Sequence, residues 1–246
     1  MFDKMKKNLK DFFIILLVII IIVLVLVFKG TDNDKNKENV NESQKQAEES
    51  QNVLDDNFYS NIILEGKGNE DSGRYVTVLS DYSCGWSTKF YFDTILEFFK
   101  EKDLDKVWLQ YDFLVLNDQS PSLLPTEAAY CANEQGKFWE FHDGVFNLKE
   151  KHEDLEVAFN KENIFGLAEE LGINNSEFEE CVNTNKYRQL INMRAKYYLD
   201  AIDRLGVPST FLNGEPITMF INGEDRMVGA IDIVTFGKKI QDWLNK

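Results

Sequence analysis

An unbroken apolar run, Phe12 to Phe28 (FFIILLVIIIIVLVLVF), carries no charge and divides the chain into two unequal parts. It is just long enough for a helix to cross a bilayer core, where each backbone polar group must be paired within the segment itself. Lys4, Lys6, Lys7 and Lys10 precede it, and acidic and polar residues soon follow. That asymmetry puts residues 1–11 in the cytoplasm and everything past the span outside it. A cleaved secretory signal is the competing reading. The run exceeds the usual apolar length of such a signal, however, and Lys29-Gly30-Thr31-Asp32 offers no small-x-small cleavage site. We therefore expect residues 12–28 to be an uncleaved, single-pass membrane anchor whose folded part works in an extracytoplasmic compartment.

Residues 29–70 are dominated by Asn, Asp, Glu, Lys, Gln and Ser, with no sustained apolar period beyond a helical patch around Ser43 to Leu54. Such a segment buries too little apolar surface to offset the entropy of ordering it, and reads as a largely disordered tether. Residues 71–246 remain for one domain. The net charge of −15 argues against a nucleic-acid partner, because phosphate binding needs a basic footprint.

The strand signal opens at Tyr75–Ser80, a β-branched run that ends in Asp81-Tyr82-Ser83-Cys84. Helical spacing follows, with Phe90, Phe92, Ile95, Leu96 and Phe99 as the expected buried stripe. A second strand at Lys106–Val115 completes a β-α-β unit with a parallel pair. Helical patterns then run over Leu123–Ala132, Lys137–Leu148, Ile164–Leu171 and Ser176–Leu205, the last opened by Ser176 and Glu179 in capping-box spacing. Strands return at Ser209–Leu212 and Thr218–Ile221, each closed by Asn-Gly, the favoured hairpin pair, and an amphipathic helix at Ile233–Leu244 ends the chain. The order β-α-β, helical block, β-β-α is that of an α/β thioredoxin-like fold with an inserted helical subdomain, placed at about 119–204.

Three stretches, in order, resemble DsbA-like thiol-disulfide oxidoreductases. Val76 to Phe90 (VTVLSDYSCGWSTKF) resembles that family's active-site strand and helix, which typically read strand, S-D-x-x-C-x-x-C, helix. Glu127 to Phe146 (EAAYCANEQGKFWEFHDGVF) is similar to its insertion helices, and Gly206 to Gly214 (GVPSTFLNG) to its cis-proline strand. The resemblance spans roughly Arg74 to the C-terminus. It implies chemistry on protein or peptide thiols and disulfides of the cell envelope, with no cofactor.

The three cysteines are an odd number for a compartment in which disulfides persist. Cys84 stands between a strand end and a helix start, where unpaired N–H groups and the helix dipole favour a thiolate, and is the expected nucleophile. Cys131 and Cys181 fall on two helices of the insertion, and some DsbA-like proteins look similar in carrying a structural disulfide there. Two buried free thiols are the alternative. Ser87 stands where the resemblance calls for the second, resolving cysteine, and Val78, six residues before Cys84, stands where the family commonly has a carboxylate. A hydroxyl cannot close an internal disulfide, so a reacted Cys84 would need an external resolving thiol.

The resemblance also implies a cis bond at Val207-Pro208 opposite the cysteine, with the Val207 backbone pairing to an extended substrate. Pro216 is the alternative, because the second F-x-N-G (Phe220–Gly223) roughly repeats the first. Gly85 and Trp86 are expected to set access to the sulfur, with Trp86 either meeting a peptide or packing on the domain. His142 and His152 make no metal-ligand spacing with each other or with a cysteine, so no metal site is expected. Two functions follow: a thiol-disulfide oxidoreductase acting through one thiolate in isomerase, reductase or mixed-disulfide chemistry, or a peptide-binding module of the same fold that has lost turnover.

Overall fold

The computed structural model describes residues 65–246, apart from 102 and 103. The expected cytoplasmic stretch 1–11, the span 12–28 and most of the tether lie outside the described residues. Among the described residues, no helix is long and apolar enough to cross a membrane.

A five-stranded sheet forms the centre, built from β1 (Lys67–Gly68), β2 (Tyr75–Ser80), β3 (Trp108–Phe113), β4 (Ser209–Leu212) and β5 (Glu215–Pro216), in the order β1-β3-β2-β4-β5. β2 and β3 are parallel, with Tyr75 opposite Trp108 and Ser80 opposite Phe113, and the other pairings are antiparallel. A parallel pair needs a crossover, and a continuous helical stretch supplies it: α1 (Gly85–Phe90), a π-helical turn (Tyr91–Leu96) and α2 (Glu97–Glu101). β1 and the first residue of the short 3-10 turn Glu70–Ser72 fall in the stretch expected to be tether, so ordered structure begins earlier than the polar composition suggests.

The π turn shifts the buried face of the crossover. Phe90, Ile95 and Phe99 are buried as expected, but Phe92 and Leu96 are only half-buried, while Tyr91 and Thr94 take core positions. A wider turn changes the angle between successive side chains, which a 3.6-residue period cannot anticipate.

The insertion holds α3 (Leu123–Asn133), α4 (Phe138–Lys151), α5 (Leu155–Ala158), α6 (Lys161–Glu170), α7 (Asn175–Asn183) and α8 (Arg188–Ala201). The single helix expected over Ser176–Leu205 is two. Asn185 takes a left-handed φ of 52° and Lys186 N donates to Cys181 O at 3.2 Å, which closes α7 before α8 begins. Nor is Ser176 the cap: the Asn174 side chain accepts from the N–H groups of Ser176 and Glu177.

Both Asn-Gly pairs make hairpin turns with φ positive at both residues, Asn213 and Gly214 at 49° and 85°, Asn222 and Gly223 at 54° and 89°. The strands they serve lie in different sheets. β5 pairs only with β4, where Pro216 sits opposite Phe211, and β6 (Thr218–Ile221) pairs only with β7 (Glu224–Met227). α9 (Ile233–Leu244) follows, and its Phe236 packs edge-on against Phe90, Phe98 and Phe99 of the crossover.

Alternation along β2 separates the two faces of the sheet. Leu79 packs with Leu114, Ala195 and Phe211, and that cluster extends to Tyr198, Ile202, Leu205, Val207 and Met227. On the other face, aromatic rings gather around the turn that follows β2. Tyr82 stacks on Phe113 at 4.5 Å between centroids, Tyr91 on Phe146 at 4.5 Å, and His142 lies 4.3 Å from Tyr111.

Candidate active site

The turn after β2 is fixed by its own residues. The Asp81 carboxylate accepts from Ser83 N and Ser83 Oγ, both at 2.7 Å, and Asp81 O accepts from Cys84 N at 3.0 Å. This side chain-to-backbone turn delivers Cys84 to the N-cap of α1 in extended conformation, with φ −81° and ψ 119°. Its carbonyl then accepts from Thr88 N at 3.1 Å and Thr88 Oγ1 at 3.2 Å, committing the next residues to the helix.

Cys84 is a free, partly exposed cysteine. Its sulfur lies 3.6 Å from Val207 O, within reach of a weak S–H donor. The Val207-Pro208 peptide is cis and Pro208 is buried, whereas Pro216 belongs to β5. Cys84, Val207 and Pro208 therefore share one locus at the end of the sheet where β2 and β3 both finish. Gly85 is exposed, with open space where a Cβ would stand. Trp86 is 64% exposed, so its ring faces solvent rather than the core.

Ser87 is buried, and its Oγ accepts from Asp81 N at 3.4 Å. The hydroxyl at the second-cysteine position thus helps tie the turn to α1. Val78 is buried in register between Tyr111 on β3 and Thr210 on β4. The Tyr111 and Thr210 hydroxyls have no hydrogen-bond partner among the described residues. The position that the resemblance gives to a carboxylate is therefore held by an apolar side chain, with residues bearing buried hydroxyls opposite it on both neighbouring strands.

Cys131 on α3 and Cys181 on α7 are joined to each other, with their Cα atoms 5.9 Å apart. The bridge belongs to the insertion, away from the Cys84 turn in sequence and in element.

Three contacts were not anticipated from the sequence. Gly229 packs so closely on Pro208 that a Cβ there would come within 3.2 Å of Pro208 O. Thr94 Oγ1 donates to Ile231 O at 2.8 Å, pinning the same loop to the crossover. Tyr82 Oη lies 2.8 Å from His142 Nδ1, with both residues fully buried. Burial, with Lys67 adding to it, pushes His142 down to about 3, so its ring is neutral. Neither Gly229 nor His142 has a local sequence signal, because each is defined by a residue distant in the chain.

Comparison with known proteins agrees with this fold. The family model described as Thioredoxin matches residues 66–232. BdbD from Bacillus subtilis, in its oxidised form, is similar over 75% of this chain and 94% of its own, with a TM-score of 0.59 and 16% identity. The thiol-disulfide exchange protein alpha-DsbA2 from Wolbachia pipientis is similar over 76% and 92%, with a TM-score of 0.58 and 21% identity. DsbA from Chlamydia trachomatis is similar over 72% and 90%, with a TM-score of 0.56 and 14% identity. At these identities the likeness is one of fold. No curated protein sequence matches the chain.

Proposed function

This chain belongs to the thioredoxin family, and from that premise we propose that it is a membrane-tethered, extracytoplasmic thiol-disulfide exchange protein working through Cys84 alone. The observation that carries the reading is the placement of one free sulfur at the N-cap of α1, facing the carbonyl of a cis Val207-Pro208 peptide, with a buried serine one turn further on.

The chemistry follows from that count of sulfurs. The Cys84 thiolate attacks a substrate disulfide RS–SR′, forming Cys84–S–S–R and releasing R′S⁻, which takes up a proton. An outside thiolate R″S⁻ then attacks the mixed disulfide, forming RS–SR″ and returning the Cys84 thiolate. Over both steps one disulfide is exchanged for another with no net oxidation, which is interchange of the isomerase or reductase kind. Ser87 cannot perform the second attack. Val207, through its backbone, and Trp86, through its exposed ring, are the groups placed to meet an extended peptide beside the sulfur.

The compartment is supported by the basic-then-apolar pattern of residues 1–28 and by a disulfide in the insertion, which persists outside a reducing cytosol. Alkaline washing is expected to leave the full chain with membranes and to release a variant lacking residues 1–28. Release of both would remove the anchor.

The test of function uses the full chain purified without reductant and a disulfide-bonded peptide. Mass spectrometry is expected to find one peptide adduct, on Cys84, that added thiol discharges. No adduct, or an adduct on Cys131 or Cys181, overturns the proposal. The absence of a second sulfur also favours a peptide-binding module without turnover. That reading requires C84A to retain the peptide as strongly as the wild type.

A further inference from the structure

Tyr82 and Tyr91 bracket Cys84 in the chain, and both reach the same helix of the insertion. The Tyr82 hydroxyl meets His142 Nδ1 at 2.8 Å, and the Tyr91 hydroxyl donates to Asp143 Oδ1. His142 and Asp143 are neighbours on α4. We propose that they are positioning residues for Cys84: a two-point clamp by which the insertion fixes the turn before the cysteine and the helix after it, and so aims the sulfur at the Val207 carbonyl. The inference rests on Cys84 being the reacting atom.

The protonation states suit the role. Burial keeps His142 neutral and raises the Tyr82 phenol well above its ordinary range, so the 2.8 Å contact joins two uncharged partners, one of which donates to the other. Burial also raises Asp143, an effect opposed by the Tyr91 hydrogen bond, and raises Tyr91, which stays a donor.

The clamp is separable from packing. Both rings are held independently of their hydroxyls, Tyr82 by stacking on Phe113 and Tyr91 by stacking on Phe146. Without the hydroxyls, the main-chain tie from Cys84 N to Asp81 O and the Asp81–Ser83 turn remain, but among the described residues no hydrogen bond links them to α4. A change of one atom therefore isolates aim from fold.

The full-length protein is compared with Y82F, Y91F and the double variant. Three quantities are read: the rate of Cys84 adduct formation with a disulfide peptide, amide hydrogen exchange over residues 83–85, and the thermal midpoint. Each single variant is expected to react about fivefold more slowly, the worth of one buried hydrogen bond, and to exchange faster at the turn. H142N, which keeps a polar atom near the Nδ1 position, should recover rate that H142F loses. A lowered midpoint with unchanged rate and unchanged exchange at the turn overturns the clamp and leaves these contacts as packing alone. If the wild type forms no adduct, the reading of Cys84 falls, and exchange over residues 83–85 by itself decides whether α4 holds the turn.

Discussion

Cys131 and Cys181 are 2% and 6% exposed on two helices of the insertion and are joined to each other, whereas Cys84 stands partly exposed at a helix N-cap with a buried serine one turn on. The first pair is a cross-link: two stable helices, α3 and α7, bring the sulfurs to bridging distance and exclude solvent from them. The second site is the reverse, a sulfur beside the Val207 carbonyl, to which a thiol is only a weak donor. One element type thus serves two purposes, and what separates them is whether a second sulfur lies within reach. Cross-linking needs two rigid supports; exchange needs one support and an open side.

Breaking the bridge should have the largest effect on stability and the least on reactivity. The cysteines are separated by 50 residues, and constraining a loop of that size in the unfolded chain contributes about 4 kcal/mol. The C131A/C181A variant is therefore expected to unfold about 8–16 °C lower, read by calorimetry under non-reducing conditions. Its rate of adduct formation at Cys84, measured well below that midpoint, should match the wild type. A parallel fall in rate would mean that the two sulfur sites are not independent.

Supplying the missing sulfur tests the other side of the comparison. Cys84 and Ser87 are one helical turn apart, a spacing compatible with a disulfide, and Ser87 is buried where the new thiol would be shielded from outside thiols. In S87C, a peptide adduct should be expelled by internal attack, lowering its steady-state population at least about tenfold and leaving an oxidised protein lighter by two hydrogens. An adduct as long-lived as that of the wild type would show that the backbone turn, not the missing sulfur, prevents resolution.

The elements carrying the Cys84 turn were legible because their signals are local. The β-branched run at Tyr75–Ser80, the cysteine at its end and the Asn-Gly turns each announce a conformation within a few residues, and α9 was bounded by the Asp232 cap, which accepts from Val234 and Thr235. The resemblance supplied what local signals lack, namely that Val207-Pro208 faces Cys84. What remained hidden depends on distant partners. The π turn that buries Tyr91 in place of Phe92, the left-handed Asn185 that splits the last insertion helix, and the Tyr82–His142 contact each require knowing what packs on the segment. A lone histidine among aromatic residues reads as core, and this one is core; its link to the reactive turn appears only once α4 is laid against it.

The smallest expected effect asks whether that imidazole is held neutral behind the turn. In the folded protein burial takes His142 down to about 3 from an ordinary 6.5. Between those two values the unfolded chain binds a proton that the folded chain refuses, so stability falls as pH drops through that window, by at most about 1.4 kcal/mol per pH unit. Well above 6.5 both states are neutral and the group contributes no slope. Asp143 acts in the opposite direction: raised above 3.8 by burial, it keeps a proton in the folded state just above that value, and so favours the fold as pH falls there. The imidazole effect is therefore cleanest between about 7.5 and 5, where it amounts to about 2 kcal/mol. Urea unfolding at those two pH values should show the wild type losing about 2 kcal/mol more than H142N, since all other titrating groups are common to both. Equal losses would mean that the ring takes up its proton in the folded state, and the phenol of Tyr82 would then have no acceptor at Nδ1.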